Sequence, residues 1–194
     1  ATKQILSKWA EKGVPSLVDS LGRRWQPDAY VNMVVRTNSM QIAKKTQERR
    51  AVDYGKDLII TSQHADQSPE HAPYANKIYS LSGNSDKYPP FSIAQSHGFM
   101  NRPNCRHTYS FYVEGLTTKR KTIDKEQTDK SYKVSQEQRK LERKIRAQKR
   151  QIEALKAGGF DTVAENAKLR GYQSDMRSFI DASGRTRQRD REQI

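Results

Sequence analysis

From Leu141 to Leu155 the aliphatic side chains fall at Leu141, Ile145, Ile152 and Leu155, with Gln148 at the intervening step, so the intervals run four, three, four and three. On a helix of 3.6 residues per turn this gathers them into one narrow seam of the coiled-coil kind. A seam that narrow cannot close a core alone and needs a partner helix. Gly158-Gly159 follow at once, and beyond them Leu169, Tyr172, Met176 and Phe179 again recur at helical spacing. A glycine pair permits a tight reversal, which predicts an antiparallel helical hairpin over 131–182.

Cationic side chains ride on the first of these helices. Arg139, Arg143, Arg146 and Arg150 also step by four, three and four. At 3.6 residues per turn they fall within roughly 60° of arc, about 180° from the apolar seam. Lys140, Lys144 and Lys149 widen this basic face. The stripe is therefore expected to face away from the hairpin partner. A charge run is most often a solvated helix face. The bias to arginine also suits bidentate contact with phosphate or carboxylate, and a stripe of this kind reads no base sequence. These seven residues are the candidate surface for nucleic acid or an acidic partner.

Upstream the periodicity changes twice. The segment 1–55 reads as helical: Trp9, Leu17, Val18 and Leu21 offer a short apolar face interrupted by Gly13 and Pro15. Pro27 suits the first position of a second helix, whose apolar residues Tyr30, Val31, Val34, Val35 and Ile42 recur at helical spacing. Gly55 suits its C′ position. Over 56–115 the pattern turns to short β-branched and aromatic runs, Leu58–Thr61, Lys77–Ser80 and Thr108–Val113, separated by clusters such as Ser82-Gly83-Asn84-Ser85 and Tyr88-Pro89-Pro90. The fold class that follows is α+β: N-terminal helices packed on a small, loop-rich β-sheet, then a basic C-terminal antiparallel helical hairpin. Segments 1–55 and 56–115 are expected to form one domain, with 116–130 as a linker and 183–194 as a frayed tail.

Only 34% of the chain is hydrophobic, low for a compact globule of 194 residues, and the net charge is +14. The excess is concentrated downstream, with 21 Lys and Arg against 12 Asp and Glu from Leu116 onward, and 15 against 10 before it. Such a chain favours polyanionic neighbours. No run approaches the roughly 18 apolar residues of a membrane span, and no signal-peptide pattern is present. A single cysteine excludes an internal disulfide framework.

All four histidines and Cys105 fall in the loop-rich zone. His64 and His71 bracket Ala65-Asp-Gln-Ser-Pro-Glu70, and Asn104-Cys-Arg-His107 precedes the last strand. Cys105 and His107, two residues apart on an extended segment, share a face. The spacings match no standard zinc finger and lack a paired Cys-x-x-Cys. The cluster is accordingly read as structural, hydrogen-bonding loops onto the sheet, with no cofactor and no catalytic residue. Were a metal held, His64, His71, Cys105 and His107 would be the zinc set. His97, in a Ser-His-Gly loop, has no evident partner.

Several segments in order resemble the phage minor capsid protein 2 family, relatives of the Mu-F-like head-morphogenesis proteins. They are Tyr30-Val-Asn-Met-Val-Val-Arg-Thr37, Thr46-Gln-Glu-Arg49 before Gly55 and Asp57-Leu58, and His64-Ala65 with Pro69 and His71-Ala-Pro73. Lys77-Ile-Tyr-Ser-Leu-Ser-Gly83 with Tyr88-Pro89, Asn104-Cys-Arg-His107 and Gln138-Arg-Lys-Leu-Glu-Arg-Lys-Ile-Arg146 complete the series. The resemblance spans most of the chain and makes His64, His71, Asn104, Cys105, Arg106 and His107 its signature cluster. It implies a structural minor head protein of a tailed bacteriophage, inside the head near the portal. Its partners would be portal and capsid proteins and double-stranded DNA, bound without regard to sequence and with ejection alongside the DNA. It implies the virion interior as location, the host cytoplasm during assembly, no membrane and no small-molecule substrate. Two departures stand out: relatives often carry Cys-Arg-Cys where this chain has Cys105-Arg106-His107, and some carry a further cysteine where it has Asn101-Arg-Pro103. The family's longer helical N-terminal region is also absent from this stretch, so portal binding is not expected to be wholly encoded here.

The alternative in another class is a nucleic-acid-processing enzyme, nuclease- or toxin-like, using the His/Cys cluster. Against it stands the lack of a carboxylate-rich metal motif or a glycine-rich phosphate loop. A host DNA-binding accessory protein would be expected to carry a known reading motif, and none is found.

Overall fold

A computed structural model describes residues 2–12, 17–20, 22 and 24–194. The chain forms two compact units, one of Ala1–Tyr30 with Val134–Ile194 and one of Val31–Lys133. The class is α+β, as the sequence implied, but the grouping is not the expected one, since the first thirty residues fall in the unit of the tail hairpin.

In the unit of Val31–Lys133 the sheet has β3 (Leu58–Thr61) at its centre, flanked by β4 (Ile78–Ser80) and β5 (Tyr109–Phe111), both antiparallel to it. Ile59 lies across from Tyr79 on one side and Phe111 on the other, and Thr61 from Tyr109. Because side chains alternate along a strand, these residues share one face. That face is buried with Phe91 and Ala94 of α3 (Phe91–Ser96) and with Phe99 and Met100. Phe91 meets Tyr79 and Tyr109 at ring separations of 5.7 and 5.6 Å. The three strands fall where β-branched and aromatic residues cluster in the sequence.

Helix α2 (Pro27–Asp53) begins at the proline suited to a first helical position. It ends in a Schellman arrangement: Gly55 takes φ 58°, the Lys56 N–H bonds Ala51 O, and the Gly55 N–H bonds Val52 O. The apolar side chains that recur at helical spacing along it are not all buried. Val31, Val35 and Ile42 are exposed. The helix meets the core through smaller and polar groups instead. Ala51 is buried, Gln41 Nε2 donates to Met100 O at 3.3 Å, and the Tyr109 hydroxyl donates to Lys44 O at 3.3 Å. Periodicity finds apolar stripes and is blind to a contact made by hydrogen bonds.

Residues 116–130 are not a free linker. Gln63 Nε2 donates to Lys121 O at 2.6 Å and Gln63 Oε1 accepts the Ile123 N–H at 3.1 Å. The buried Asn76 donates to Arg120 O at 2.9 Å and to Thr122 Oγ1 at 3.0 Å. Helix α4 (Lys125–Ala157) then starts inside the expected linker, capped by Asp124, whose Oδ2 accepts the Gln127 N–H at 3.1 Å.

In the other unit, α4 from Val134 pairs with α5 (Val163–Ser183). Gln148 Nε2 donates to Glu165 O, and Lys144 Nζ lies 5.8 Å from the Tyr172 ring centre. Contacts that descend on one helix while they rise on the other define an antiparallel pair. Ile145, Ile152, Leu155 and Met176 are buried along it. The reversal is a second Schellman turn, with Gly159 at φ 73°, Phe160 N–H bonded to Leu155 O and Gly159 N–H to Lys156 O. Helix α1 (Thr2–Lys12) reaches this hairpin: Lys3 Nζ donates to Asp161 O at 2.9 Å, and Ser7 and Gln151 bond side chain to side chain. Leu17–Val18 and Arg24–Trp25, read as helical, are the antiparallel strands β1 and β2, and Leu17, Val18 and Trp9 are exposed. The turn between the strands explains the difference, with Gly22 N–H bonded to Asp19 O and Trp25 Nε1 to Asp19 Oδ2. Gly13, Pro15 and Leu21 lie outside the described residues. No helix among the described residues is long and apolar enough to cross a membrane.

Candidate functional site

The cluster foreseen around the histidines assembles from two loops. His71 sits at the entry to a single 3-10 turn (Ala72–Tyr74), its N–H bonded to Ser68 O at 2.9 Å. Cys105 follows a turn in which Asn104 takes φ 64° and the Cys105 N–H bonds Arg102 O; Asn104 Oδ1 accepts from Arg36 at 3.0 Å. Two residues on, His107 lies two positions before the start of β5. Cys105 Sγ lies 3.4 Å from His107 Nδ1 and 3.7 Å from His71 Nδ1, and the Met100 N–H points at the same sulfur at 3.3 Å. His107 and His71 are buried and Cys105 is half-buried. The Phe99 ring closes over the pair, 4.5 Å from His107 and 5.6 Å from His71.

Gln67 fixes the state of His107. Its Oε1 accepts the His64 N–H at 3.2 Å, which identifies that atom as the oxygen, and the same oxygen lies 3.2 Å from His107 Nε2. An oxygen there requires Nε2 to carry the proton, so the lone pair of His107 sits on Nδ1, facing Cys105. Burial, then the charges of His64 and His71, push the His107 pKa down to about 3. Burial, then Arg102, lower His71 as well, opposed by Glu70. Both rings are thus neutral near pH 7.

The remaining cluster members take lesser places. His64 lies against His107 with ring centres 4.8 Å apart and ring planes tilted by 54°, while its Nε2 lies 3.5 Å from Ser62 Oγ. Arg106 is exposed. His97 belongs elsewhere, stacked on Tyr74. Gln67, Phe99 and the Met100 N–H went unnoticed in the sequence. Gln67 carried one faint signal, three residues after His64, whereas a backbone N–H aimed at a sulfur leaves no trace in residue type.

The basic face of α4 is divided in a way the sequence did not reveal. One edge is covered by the C-terminal residues, which are folded rather than frayed. Arg185 Nε donates to Gln138 Oε1 at 2.8 Å and Gln138 Nε2 to Thr186 O at 3.0 Å; Arg146 bonds Arg191 O; Lys149 Nζ donates to Gln193 Oε1 at 2.7 Å. Arg187 grips the buried Glu192 with two hydrogen bonds of 2.6 Å. Under this strap Glu142 is buried. Burial raises its pKa, against the pull of Arg191, Arg146 and Arg139. Arg146 and Lys149 are therefore occupied in holding the strap, and Arg139 and Arg150 are half-buried. Lys140, Arg143 and Lys144 remain exposed. The arginines do avoid the seam, but a second packed face runs between seam and stripe, which a two-sided helical wheel cannot show.

Among the described residues the grouped potential ligands are His71, Cys105 and His107, two imidazoles and one thiol. The family model described as phage minor capsid protein 2 matches residues 1–181. No curated protein and no solved structure matches the chain.

Proposed function

This chain belongs to the phage minor capsid protein 2 family, and from that premise we propose that it lies inside the phage head near the portal, touches the packaged DNA without reading its sequence, and leaves with it on ejection. It is a structural component of a bacteriophage virion. The observation that carries the finer reading is the exposed set Lys140, Arg143 and Lys144 on α4, within a chain of net charge +14. Three cations on one open arc suit the phosphate backbone, whose contacts set affinity and position while leaving sequence unread. The portal and the capsid shell are the protein partners this reading assigns.

The experiment is mass spectrometry of gradient-purified heads together with DNA binding by the purified chain. The protein should be present in filled and empty heads and scarce in free lysate, and should bind unrelated duplexes with equal affinity. Heads that lack it would refute the placement. Cutting of DNA or RNA in the presence of divalent metal, abolished by His64→Ala or His107→Ala, would replace this reading with an enzymatic one.

A further inference from the structure

We propose that His71, Cys105 and His107 form a binding site for one zinc ion, with the fourth coordination position left to water. Sequence spacing argued against a metal here, but spacing tests only the ligand patterns of known fingers. The folded loops bring together three donors that suit zinc, two imidazole nitrogens and one sulfur, all within 4.8 Å of one another. For zinc bonds of about 2.0–2.1 Å to nitrogen and 2.3 Å to sulfur, the S···N edge of a tetrahedron is about 3.5–3.6 Å. The two edges at Cys105, 3.4 and 3.7 Å, bracket that value.

The surroundings have the character of a second ligand shell. Gln67 holds the proton of His107 on Nε2 and so turns the Nδ1 lone pair toward the sulfur, as an outer-shell carbonyl does for a metal-bound histidine. The Met100 N–H is directed at Sγ and gives the sulfur a hydrogen bond from outside the ligand group. The donor set is borderline-soft, which suits zinc and disfavours magnesium or calcium. A small cleft lined by Thr37, Met40, Gln41, Met100 and Arg102 also borders Cys105 and His107. Bound there, the ion would tie the loop carrying His71 to the one carrying Cys105, adding its binding free energy to the stability of a loop-rich core.

The test uses the full chain without a histidine tag, stripped with chelator and titrated with zinc chloride or cobalt chloride. Binding of one zinc per chain is expected, with a raised melting temperature. Cobalt should show tetrahedral visible bands together with a thiolate charge-transfer band. Cys105→Ser should abolish that band, and His71→Gln should weaken zinc binding. Gln67→Leu should weaken it by roughly 10–100-fold, as loss of an outer-shell partner does. His64→Ala should leave the affinity nearly unchanged, because His64 lies outside the ligand group. Absence of saturable zinc binding would overturn the proposal, as would equal binding by wild type, Cys105→Ser and His71→Gln. Should Cys105→Ser fail to fold, the charge-transfer band of the wild-type cobalt form decides alone.

Discussion

Replacing Lys140, Arg143 and Lys144 together by glutamine should weaken DNA binding without unfolding the hairpin, whereas Arg146→Gln alone should do the reverse. The three residues of the first variant are exposed, with Lys144 Nζ 5.8 Å from the Tyr172 ring centre. Exposed substitutions of this kind change stability by no more than about 0.5 kcal/mol each. If each of the three neutralises one phosphate, the slope of log affinity against log salt falls by up to about 2.7, at roughly 0.9 per contact. Arg146 bonds the Arg191 carbonyl and lies beside the buried Glu142, whose charge it helps to stabilise. Removing it leaves an acceptor and a carboxylate poorly satisfied, a loss of about 1–3 kcal/mol. For a protein of this size a loss of 2 kcal/mol lowers the melting temperature by roughly 4–8 °C. Fluorescence anisotropy on an unrelated-sequence duplex at several salt concentrations, with thermal melts of both variants, separates the two roles. An unchanged salt slope in the triple variant would refute the assignment of the open arc to DNA. An unchanged melt in Arg146→Gln would refute the strap.

Three further outcomes follow from the geometry. In metal-free protein, the lowered pKa of His107 keeps its ring neutral in the native state while the unfolded chain takes up a proton below about pH 6.5. Stability should therefore be full above that pH and fall as pH drops, by up to about 1.4 kcal/mol per unit from this group until its folded value near 3. Urea titrations from pH 7 to 5 in chelator, with a slope no smaller in His107→Gln than in wild type, would contradict this. Gly159→Ala should cost about 1–2 kcal/mol by chemical denaturation, purely from the left-handed backbone, since a Cβ there meets nothing within 4 Å. Ile145→Ala, at a fully buried seam position, should cost about 2–5 kcal/mol in the same assay. A cost under 1 kcal/mol would mean the seam is not the packed face.

What the sequence reveals depends on whether a signal is local. The reversal at Gly158-Gly159, the stop at Gly55 and the three short strands rest on residue chemistry within a few positions, and each lies where the residues indicate. The hairpin seam at Ile145, Ile152 and Leu155 is equally legible, because one period of 3.6 governs it. Features that join distant segments are not legible. Nothing near Arg146 or Gln138 announces that residues 185–193 will fold back onto them, so the basic face reads as more open than it is. Val31, Val35 and Ile42 recur at helical spacing yet are exposed, because α2 bonds the rest of its unit through Gln41 and the Lys44 carbonyl, whose partners Met100 and Tyr109 lie far along the chain. In the cluster, the nearness of Cys105 and His107 is local, two positions apart, while the approach of His71 spans a separation of 34 positions and a loop closure that no spacing rule records.

The central claim, a head protein placed inside near the portal and in contact with DNA, is tested most directly by an asymmetric electron-microscopic reconstruction of DNA-filled heads. The account predicts density for the α4–α5 hairpin on the inner side of the portal vertex, with Lys140, Arg143 and Lys144 facing the DNA. Density for the chain on the outer surface of the shell, or its absence from filled heads, would contradict it.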